Sequence, residues 1–326
     1  MGSLPIPNLP VIDLSKENLK PGTSSWLSTC RNVTQALEEY GCFVAMYDGV
    51  ALELHDAMFS AVEKLFDLPL EIKKKNTSEK PYFGYVGRHQ PFIPALYEGM
   101  GIDFANTLEG AQNFSSIMWP HGNDSFSKTV VSYSKQVSEL EKTVKKMVFE
   151  SYGVEKYYES LNESSTYLLR MMKYRGPEKN ETNVGCESHT DKSFLTILHQ
   201  NEVNGLEIKT KDGHWIGFDD PTPSSFVVLA ADAFLAWSNG RIHSAVHRVV
   251  MNGSNARYSL GLFTYNEGII HIPEELADDE HPLQFKPFEH FGLLRYYVTE
   301  EGSQAHCTAK AYCGVSNPIQ SNKINV

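Results

Sequence analysis

The part of the chain after Glu163 is divided into short apolar runs with turn residues between them, and this texture limits the fold more than any other feature. The runs have the length and spacing of strands in an all-β domain, which predicts a β-sandwich or barrel. They are residues 166–174, 194–200, 206–210, 215–218, 226–231, 247–251 and 257–265. Asp212-Gly213 and Asn252-Gly253 favour tight hairpins between successive runs. We therefore expect the last two strands to lie side by side.

The preceding part of the chain has the periodicity of helices. The predicted elements are strands at 9–13 and 42–47 and helices at 24–40, 51–66 and 126–152. In the last of these, apolar residues recur in alternating steps of four and three, which places them on one helix face. The stretch 76–124 is rich in glycine, proline and aromatic residues and is expected to be irregular. Helices followed by strands predict an α+β chain with a mainly β core, a double-stranded β-helix (jelly roll) flanked by N-terminal helices.

Charge and hydropathy exclude two classes of partner. Lys and Arg number 29 against 40 Asp and Glu, so the formal charge is −11 and the chain lacks the basic footprint of a nucleic-acid binder. The longest strongly apolar stretch, 226–231, is far below the ~20 residues that a membrane helix needs. The five cysteines are odd in number and have no metal-site spacing, which favours reduced thiols and a cytoplasmic location. We expect no nucleic-acid and no membrane partner.

Three residues have the chemistry of a metal site. His189 and Asp191 are two positions apart and so project to the same face of an extended strand. A histidine from a neighbouring strand, His247, can complete three ligands on one side of a cation. Two imidazoles and one carboxylate leave about three positions open, as non-haem Fe(II) requires, whereas zinc is more often enclosed with thiolates.

A second motif, Arg257-x-Ser259, begins the last predicted strand. Its two side chains share a face. The guanidinium of the arginine can donate two parallel hydrogen bonds to a carboxylate, and the serine offers a further hydroxyl donor. An arginine beside an iron site implies a co-substrate with a carboxylate. Phe263 and Tyr265 follow in the same register and are expected to face the same cavity.

Strings along nearly the whole chain resemble the plant soluble Fe(II)/2-oxoglutarate-dependent dioxygenases. In the N-terminal part these strings are LPVIDLS, ALEEYGCFVA and LPLEIKKK. In the second half they are HTDKSFLTILHQN, GLEIKTKDGHWI, LAWSNGRIHSAVHRVV and RYSLGLF. The wording HTDKSFLTILHQN with GLEIKTKDG is similar to the AOP-like branch, which includes the glucosinolate side-chain dioxygenases, and to deoxypodophyllotoxin synthase.

The resemblance implies roles for these residues. The two histidines and the aspartate would bind Fe(II), and Arg257 with Ser259 would hold the distal carboxylate of 2-oxoglutarate. Tyr174, in the string MKYRGP, would also hydrogen-bond that carboxylate. Aromatic residues of the irregular stretch, among them Phe92 and Tyr97, are expected to contact the prime substrate together with Phe263 and Tyr265.

The resemblance also implies a reaction. Fe(II), 2-oxoglutarate and O2 would oxidise a C–H bond of a small plant specialised metabolite, with release of succinate and CO2 and with ascorbate supporting activity. Hydroxylation is the default outcome, and ring closure, desaturation and dealkylation are the alternatives. We expect the chain to act as a monomer.

The same resemblance divides the chain into four segments. They are a substrate-contacting helical region at 1–120, a supporting helix and connector at 121–163, the jelly-roll core at 164–268 and a segment over the core at 269–326. Two other functions stay open at this stage. One is an iron oxidase that does not use 2-oxoglutarate, and the other is a non-catalytic jelly-roll protein that binds a small molecule.

Overall fold

A computed structural model describes residues 8–15, 19–90, 93–219 and 221–315. The strands are β1 (Val11–Asp13), β2 (Cys42–Met46), β3 (Val86–Gly87), β4 (Tyr97–Asp103), β5 (Ser165–Tyr174), β6 (Val184–His189), β7 (Leu195–Gln200), β8 (Leu206–Lys209), β9 (Trp215–Gly217), β10 (Ser225–Ala230), β11 (His247–Val250), β12 (Arg257–Asn266), β13 (Ile269–Ile270) and β14 (Phe288–Glu289). The helices are α1 (Ser24–Glu39), α2 (Leu52–Phe66), α3 (Leu70–Lys73), α4 (Leu108–Met118), α5 (Asp124–Tyr152), α6 (Tyr158–Glu163), α7 (Asp232–Trp237), α8 (His290–Tyr297), α9 (Glu300–Gln304) and α10 (Thr308–Cys313).

Most strands of the described residues belong to two sheets. The larger sheet has eight strands in the order β1-β2-β10-β7-β12-β5-β4-β3, and the smaller has four in the order β6-β11-β8-β9. In the larger sheet, β12 pairs antiparallel with β5 along its whole length and with β7 on its other side. A core cluster contains side chains of both sheets, including Met172, Leu198, Ile208 and Val249, so the sheets pack face to face. The expected α+β fold with a jelly-roll core is confirmed.

The side chains of β5 alternate between two environments, as the period of two in a strand requires. One set faces the cavity between the sheets: Leu168, Arg170, Met172 and Tyr174. The other set packs into the core that the helices cover: Tyr167, Leu169 and Met171. Because both faces are buried, the strand reads as a continuous apolar run in which the one arginine stands out.

The long helix α5 supports the outer face of the larger sheet. The side chain of Asn123 caps its first turn by accepting from the amide of Phe126, and Gly153 ends it in the left-handed region at φ 67°. Its apolar stripe is buried in the helix-side core, as its periodicity predicts. No helix within the described ranges is long and apolar enough to cross a membrane.

The expectation of an irregular stretch at 76–124 is wrong where regular elements form. Besides the short strand β3, this part of the chain contains helix α4 and strand β4, which pairs with β5 over seven residues and so belongs to the larger sheet. Gly99 and Gly101 conceal the strand, because glycine has low strand propensity and presents no side chain to the alternation. A Cβ at Gly99 would come within 2.8 Å of Arg170 Nη2.

The two hairpin predictions have different outcomes. Asp212-Gly213 does join the antiparallel pair β8 and β9, with Gly213 at φ 93°. The Asn252-Gly253 prediction is wrong, because β11 pairs with β6 and β8 whereas β12 pairs with β5 and β7. Gly253 does turn the chain at φ 85°, but the connection crosses from the smaller sheet to the larger one. Consequently Arg257 faces the histidines from the opposite sheet.

Candidate active site

Two neighbouring strands of the smaller sheet bring two histidines together. His189 is the last residue of β6, His247 is the first of β11, and the two are paired in register with ring centroids 4.2 Å apart. Asp191 lies just beyond the end of β6, and its Oδ1 is 3.6 Å from Nε2 of His189 and 3.9 Å from Nε2 of His247. One ligand atom from each of the three falls within 4.8 Å of the others.

Backbone carbonyls orient both imidazoles. Nδ1 of His189 lies 2.7 Å from the carbonyl oxygen of Glu187, and Nδ1 of His247 lies 3.2 Å from that of Ala245. A proton on each Nδ1 donates to these carbonyls and leaves the Nε2 lone pair directed at the shared centre. Two imidazole nitrogens and one carboxylate oxygen on one side are a donor set that suits non-haem Fe(II), so these residues could hold that ion.

The electrostatics of the three residues also favour a bound cation. Burial opposes the charge on Asp191, but the two imidazoles and the hydroxyl of Thr196 hold its pKa below the usual value. Burial lowers the pKa of His247 to about 4, so this ring is neutral. Burial alone would also lower the pKa of His189, but Cys186 and Asp191 outweigh it and raise that pKa. The centre therefore favours an added positive charge, which a metal cation supplies.

A buried ion pair braces the turn that carries Asp191. Nζ of Lys192 donates to the carbonyl oxygen of Thr190 at 2.7 Å and lies 2.8 Å from Oδ2 of Asp232. Ser244 donates to the other oxygen of Asp232 at 2.7 Å. Both charged side chains of the pair are almost fully buried. The brace therefore ties the turn to the N-terminal end of α7.

The larger sheet contributes a group that fits a carboxylate. Arg257 and Ser259 are each 1% exposed, and Nη2 of Arg257 donates to Oε1 of Gln200 at 2.6 Å. The ring of Tyr174 lies 5.1 Å from the guanidinium carbon of Arg257. Nε of Arg257 and Oγ of Ser259 have no hydrogen-bond partner in the described part of the chain. Buried donors without partners are rare, and an arginine with an adjacent hydroxyl fits a carboxylate ligand such as one end of 2-oxoglutarate.

Tyr174 lies beside this group, with its ring against the guanidinium of Arg257. Its hydroxyl lies 3.7 Å from Sδ of Met172, within the same β5 face. Burial raises the pKa of Tyr174 well above its usual value, so the hydroxyl keeps its proton.

One cavity of about 300 Å³ connects the three metal-site residues with the arginine and serine. Tyr97, Phe263 and Tyr265 also line it, whereas Phe92 lies outside the described residues. Helix α8, which follows the jelly-roll strands, closes one side with Leu294 and Tyr297. The sequence predictions did not single out these two residues, because only the folded chain brings α8 over the cavity.

Sequence reasoning also missed Arg170, which lines the cavity and is 5% exposed. The signal that could have found it is its position in β5, two residues from Leu168 and Met172 and four from Tyr174. A single arginine on a buried strand face demands a partner, and the sequence alone did not show which residue that is.

Two matches cover much of the chain. Residues 165–265 match the 2OG-Fe(II) oxygenase superfamily, and residues 9–107 match the N-terminal domain described as "non-haem dioxygenase in morphine synthesis N-terminal".

Individual proteins agree with these matches. An Arabidopsis thaliana protein named "Probable 2-oxoglutarate-dependent dioxygenase AOP1.2" is 46% identical over 312 residues, covering 93% of this chain and 95% of the relative. The rice dioxygenase for auxin oxidation superposes with a TM-score of 0.78 at 29% identity, covering 94% of this chain and 100% of that one. Its Arabidopsis thaliana counterpart, solved with 2-oxoglutarate, gives 0.75 at 28% identity over 84% and 99% of the two chains. This chain therefore belongs to the 2OG-Fe(II) oxygenase superfamily and is an oxidoreductase that uses Fe(II) and 2-oxoglutarate.

Proposed function

We propose that this chain oxidises a C–H bond of a small plant specialised metabolite, with hydroxylation as the default outcome. In this proposal His189, Asp191 and His247 hold Fe(II), and Arg257 with Ser259 holds the distal carboxylate of 2-oxoglutarate. The observation that carries it is the pair of buried, unpartnered donors, Nε of Arg257 and Oγ of Ser259, in the same cavity as the three ligand residues. The cavity volume of about 300 Å³ suits a small molecule.

When bound, Fe(II) and 2-oxoglutarate would use O2 as the oxidant for the C–H bond, with release of succinate and CO2. The protein positions the co-substrate and shields the reacting groups from water. Arg257, fixed by Gln200 and by the ring of Tyr174, orients the co-substrate by its far end. Apolar walls such as Leu168 and Phe263 keep water from the reacting groups. Hydroxylation, desaturation, ring closure and dealkylation differ in how the substrate is held against these walls.

Aromatic side chains of the cavity are the proposed contacts of the prime substrate. Tyr97 lies on β4. Phe263 and Tyr265 lie on β12, four and six residues beyond Ser259 and on the same face of the strand. The similarity to the Arabidopsis thaliana AOP proteins supports a substrate from specialised metabolism. Phe92 stays a proposed contact on the basis of its sequence position alone.

The test combines turnover with a binding measurement. Succinate formation should require Fe(II) and 2-oxoglutarate and should rise when a substrate is added, and His247→Ala should abolish it. Calorimetry on the Mn(II)-loaded protein should show 2-oxoglutarate binding that Arg257→Met weakens roughly 10- to 100-fold. Arg31→Met, which removes an exposed arginine on α1, is the matched control and should bind as the wild type does.

This design separates the alternatives. An iron oxidase that does not use 2-oxoglutarate would retain its activity in Arg257→Met and would show no calorimetric signal with 2-oxoglutarate. A non-catalytic binding protein would form no succinate with any metabolite although 2-oxoglutarate binds.

We also propose that the chain acts as a monomer in the cytoplasm. The described residues of one chain supply the three metal-site side chains, the carboxylate group and the apolar walls, so a second copy is not needed to complete the site. All five cysteines are free thiols, which suits a reducing compartment. Light scattering coupled to size-exclusion chromatography should give a mass near 36.7 kDa.

A further inference from the structure

A second arginine faces the cavity without a counter-charge. Arg170 is 5% exposed and lines the cavity from the middle of β5. Its Nη2 donates to the hydroxyl oxygen of Tyr97 at 2.8 Å, and its Nη1 has no hydrogen-bond partner among the described residues. No carboxylate in the described ranges forms an ion pair with it. Arginine keeps its charge in proteins, so a positive charge is buried here with one donor unused.

The surrounding backbone makes room for this guanidinium. Arg170 pairs in register with Gly101 of β4 and with Gly261 of β12, so neither neighbouring strand places a side chain directly beside it. A Cβ at Gly99 would lie 2.3 Å from the hydroxyl oxygen of Tyr97 and 2.8 Å from Nη2 of Arg170. The glycines therefore allow Arg170 and Tyr97 to lie flat against the sheet and to present their donors to the cavity.

Arg170 lies beside the group proposed to hold 2-oxoglutarate but is not part of it. Arg257 pairs in register with Tyr174, four residues further along β5, which corresponds to about 13 Å between the backbone positions. The side chains approach more closely, since Tyr97 also pairs with Tyr174 and the two tyrosine rings lie 5.2 Å apart. The two arginines share no hydrogen-bond partner, since Arg257 donates to Gln200 and Arg170 to Tyr97. Arg170 is therefore available to a different ligand in the same cavity.

Two open donors define what that ligand presents. Nη1 of Arg170 is one, and the other is the hydroxyl proton of Tyr97, whose oxygen already accepts from Nη2. Two adjacent donors and one positive charge match the two oxygens and single negative charge of a carboxylate. The neighbouring walls are apolar, with Ile93, Pro94 and Leu168 on the same cavity.

Resting on the proposed function, we propose that the prime substrate is a carboxylic acid with a largely apolar body, and that Arg170 and Tyr97 bind its carboxylate. The acid group would thus be fixed on the β4–β5 side of the cavity. A substrate held at this end would present a carbon of its apolar body, rather than its acid group, to the metal-site residues.

The test compares acids with their own methyl esters, which keep the body and remove the charge. The probes are octanoic, 4-phenylbutanoic and trans-cinnamic acid, each with its methyl ester, added to protein loaded with Mn(II) and 2-oxoglutarate. Calorimetry should show that the wild type binds at least one acid roughly 10- to 100-fold more tightly than its ester. Arg170→Met should lose this preference, and the exposed control Arg31→Met should keep it.

Two further variants keep the test decisive if Arg170→Met does not fold. Tyr97→Phe removes one donor and should weaken acid binding several-fold while leaving ester binding unchanged. Arg170→Lys keeps the charge but not the fork and should fall between the wild type and Arg170→Met.

Three results have distinct meanings. No acid preference in the wild type, while 2-oxoglutarate binds normally, would overturn this proposal and leave the proposed function intact. An acid preference that survives both Arg170→Lys and Tyr97→Phe undiminished would also overturn it. If the wild-type protein does not bind 2-oxoglutarate at all, that result would instead overturn the proposed function.

Discussion

At the scale of single residues, the cavity is defined by polar atoms that are buried without partners. Nε of Arg257, Oγ of Ser259 and Nη1 of Arg170 are all without a hydrogen-bond partner in the described chain, and all three residues line one cavity. A native fold leaves few such atoms, because each costs about 1–3 kcal/mol of desolvation. Other unpartnered atoms, such as Oγ1 of Thr264, lie elsewhere, but these three face a cavity in which a ligand can supply the missing acceptors.

Ser259→Ala should weaken 2-oxoglutarate binding about 5- to 10-fold without reducing stability, because the hydroxyl it removes has no partner inside the protein. Calorimetry and thermal unfolding measure the two effects. Thr264→Val is a matched control, since Thr264 is on the same strand, is fully buried and has an unpartnered hydroxyl, but does not line the cavity. Equal 2-oxoglutarate affinity in the wild type and Ser259→Ala would contradict the assigned role.

His290 should make stability depend on pH. It is fully buried, accepts from the amide of Asn266 and lies 2.9 Å from the carbonyl oxygen of Lys192, and burial lowers its pKa to about 4. The neutral ring is stabilising above its unfolded pKa of about 6.5, and this contribution is lost as pH falls through the window from about 6.5 to about 4.

The difference in the free energy of unfolding between the wild type and His290→Gln should become smaller as the pH falls. The free energy of unfolding of the wild type, relative to His290→Gln, should fall by about 2 kcal/mol between pH 7 and pH 5. Urea unfolding at both pH values measures it. A difference that stays constant with pH would show that His290 titrates normally in the folded protein.

At the scale of elements, the turn between β6 and β7 carries the decisive geometry, because Asp191 lies outside the regular strand. His189 and Asp191 do lie close together, as expected. The cause is the turn after β6, however, and not a shared face of one strand. The turn is fixed instead by Lys192, which is paired with Asp232, and by Thr196, which donates to the carboxylate of Asp191.

Breaking this brace should cost both stability and metal affinity. Asp232→Asn leaves the buried Lys192 without its counter-charge. Removing one partner of a buried ion pair lowers the free energy of unfolding by about 3–5 kcal/mol. Urea unfolding and Mn(II) titration give the two readouts. The double variant Lys192→Met/Asp232→Asn should recover part of the stability, because no uncompensated charge remains.

A surface pair provides the comparison. Lys142 and Glu139 are an exposed ion pair on α5, and Lys142→Met should change the free energy of unfolding by less than about 0.5 kcal/mol. An effect of Asp232→Asn as small as this would mean that the buried pair does not hold the turn.

Elements also show where sequence reasoning succeeds and fails. Helix α5 was predicted closely because its apolar stripe is a local signal, and the Asn123 cap and Gly153 stop, which the prediction did not use, are local signals as well. Strand β4 was missed because Gly99 and Gly101 interrupt the alternation on which strand prediction depends. The Asn252-Gly253 turn was recognised as a turn, but a turn signal does not specify which strand its successor joins.

At the scale of the whole molecule, the N-terminal part is built into the larger sheet. β2 pairs with β10, and β4 pairs with β5, so strands from the first third of the chain cover both sides of the central strands. The cavity accordingly has walls from β4, β5, β6, β11, β12 and α8. Its formation depends on the assembly of segments that are distant in sequence.

A fragment of residues 121–326 should therefore fail to fold by itself. It lacks β1 to β4, which leaves β10 and β5 as unpaired edges and exposes the helix-side core. Sedimentation and far-ultraviolet circular dichroism should show an aggregated chain without cooperative unfolding. Co-expression with residues 1–120 should restore part of the folded protein, whereas a monomeric, cooperative fragment that binds Mn(II) would contradict the expectation.

The sequence by itself determined the local structure and the chemistry, with a family resemblance identifying 2-oxoglutarate: a helical first part, a β core, and the residue types of an Fe(II) site beside a group for a carboxylate. These follow from side-chain period, capping residues and ligand chemistry, which act over a few residues. Only the tertiary structure decided that β11 and β12 lie in opposite sheets, that α8 covers the cavity, and that Arg170 faces it beside Tyr97. A strand's alternation sets which side chains share a face, but its neighbours are chosen by long-range burial of whole faces, which no local pattern encodes.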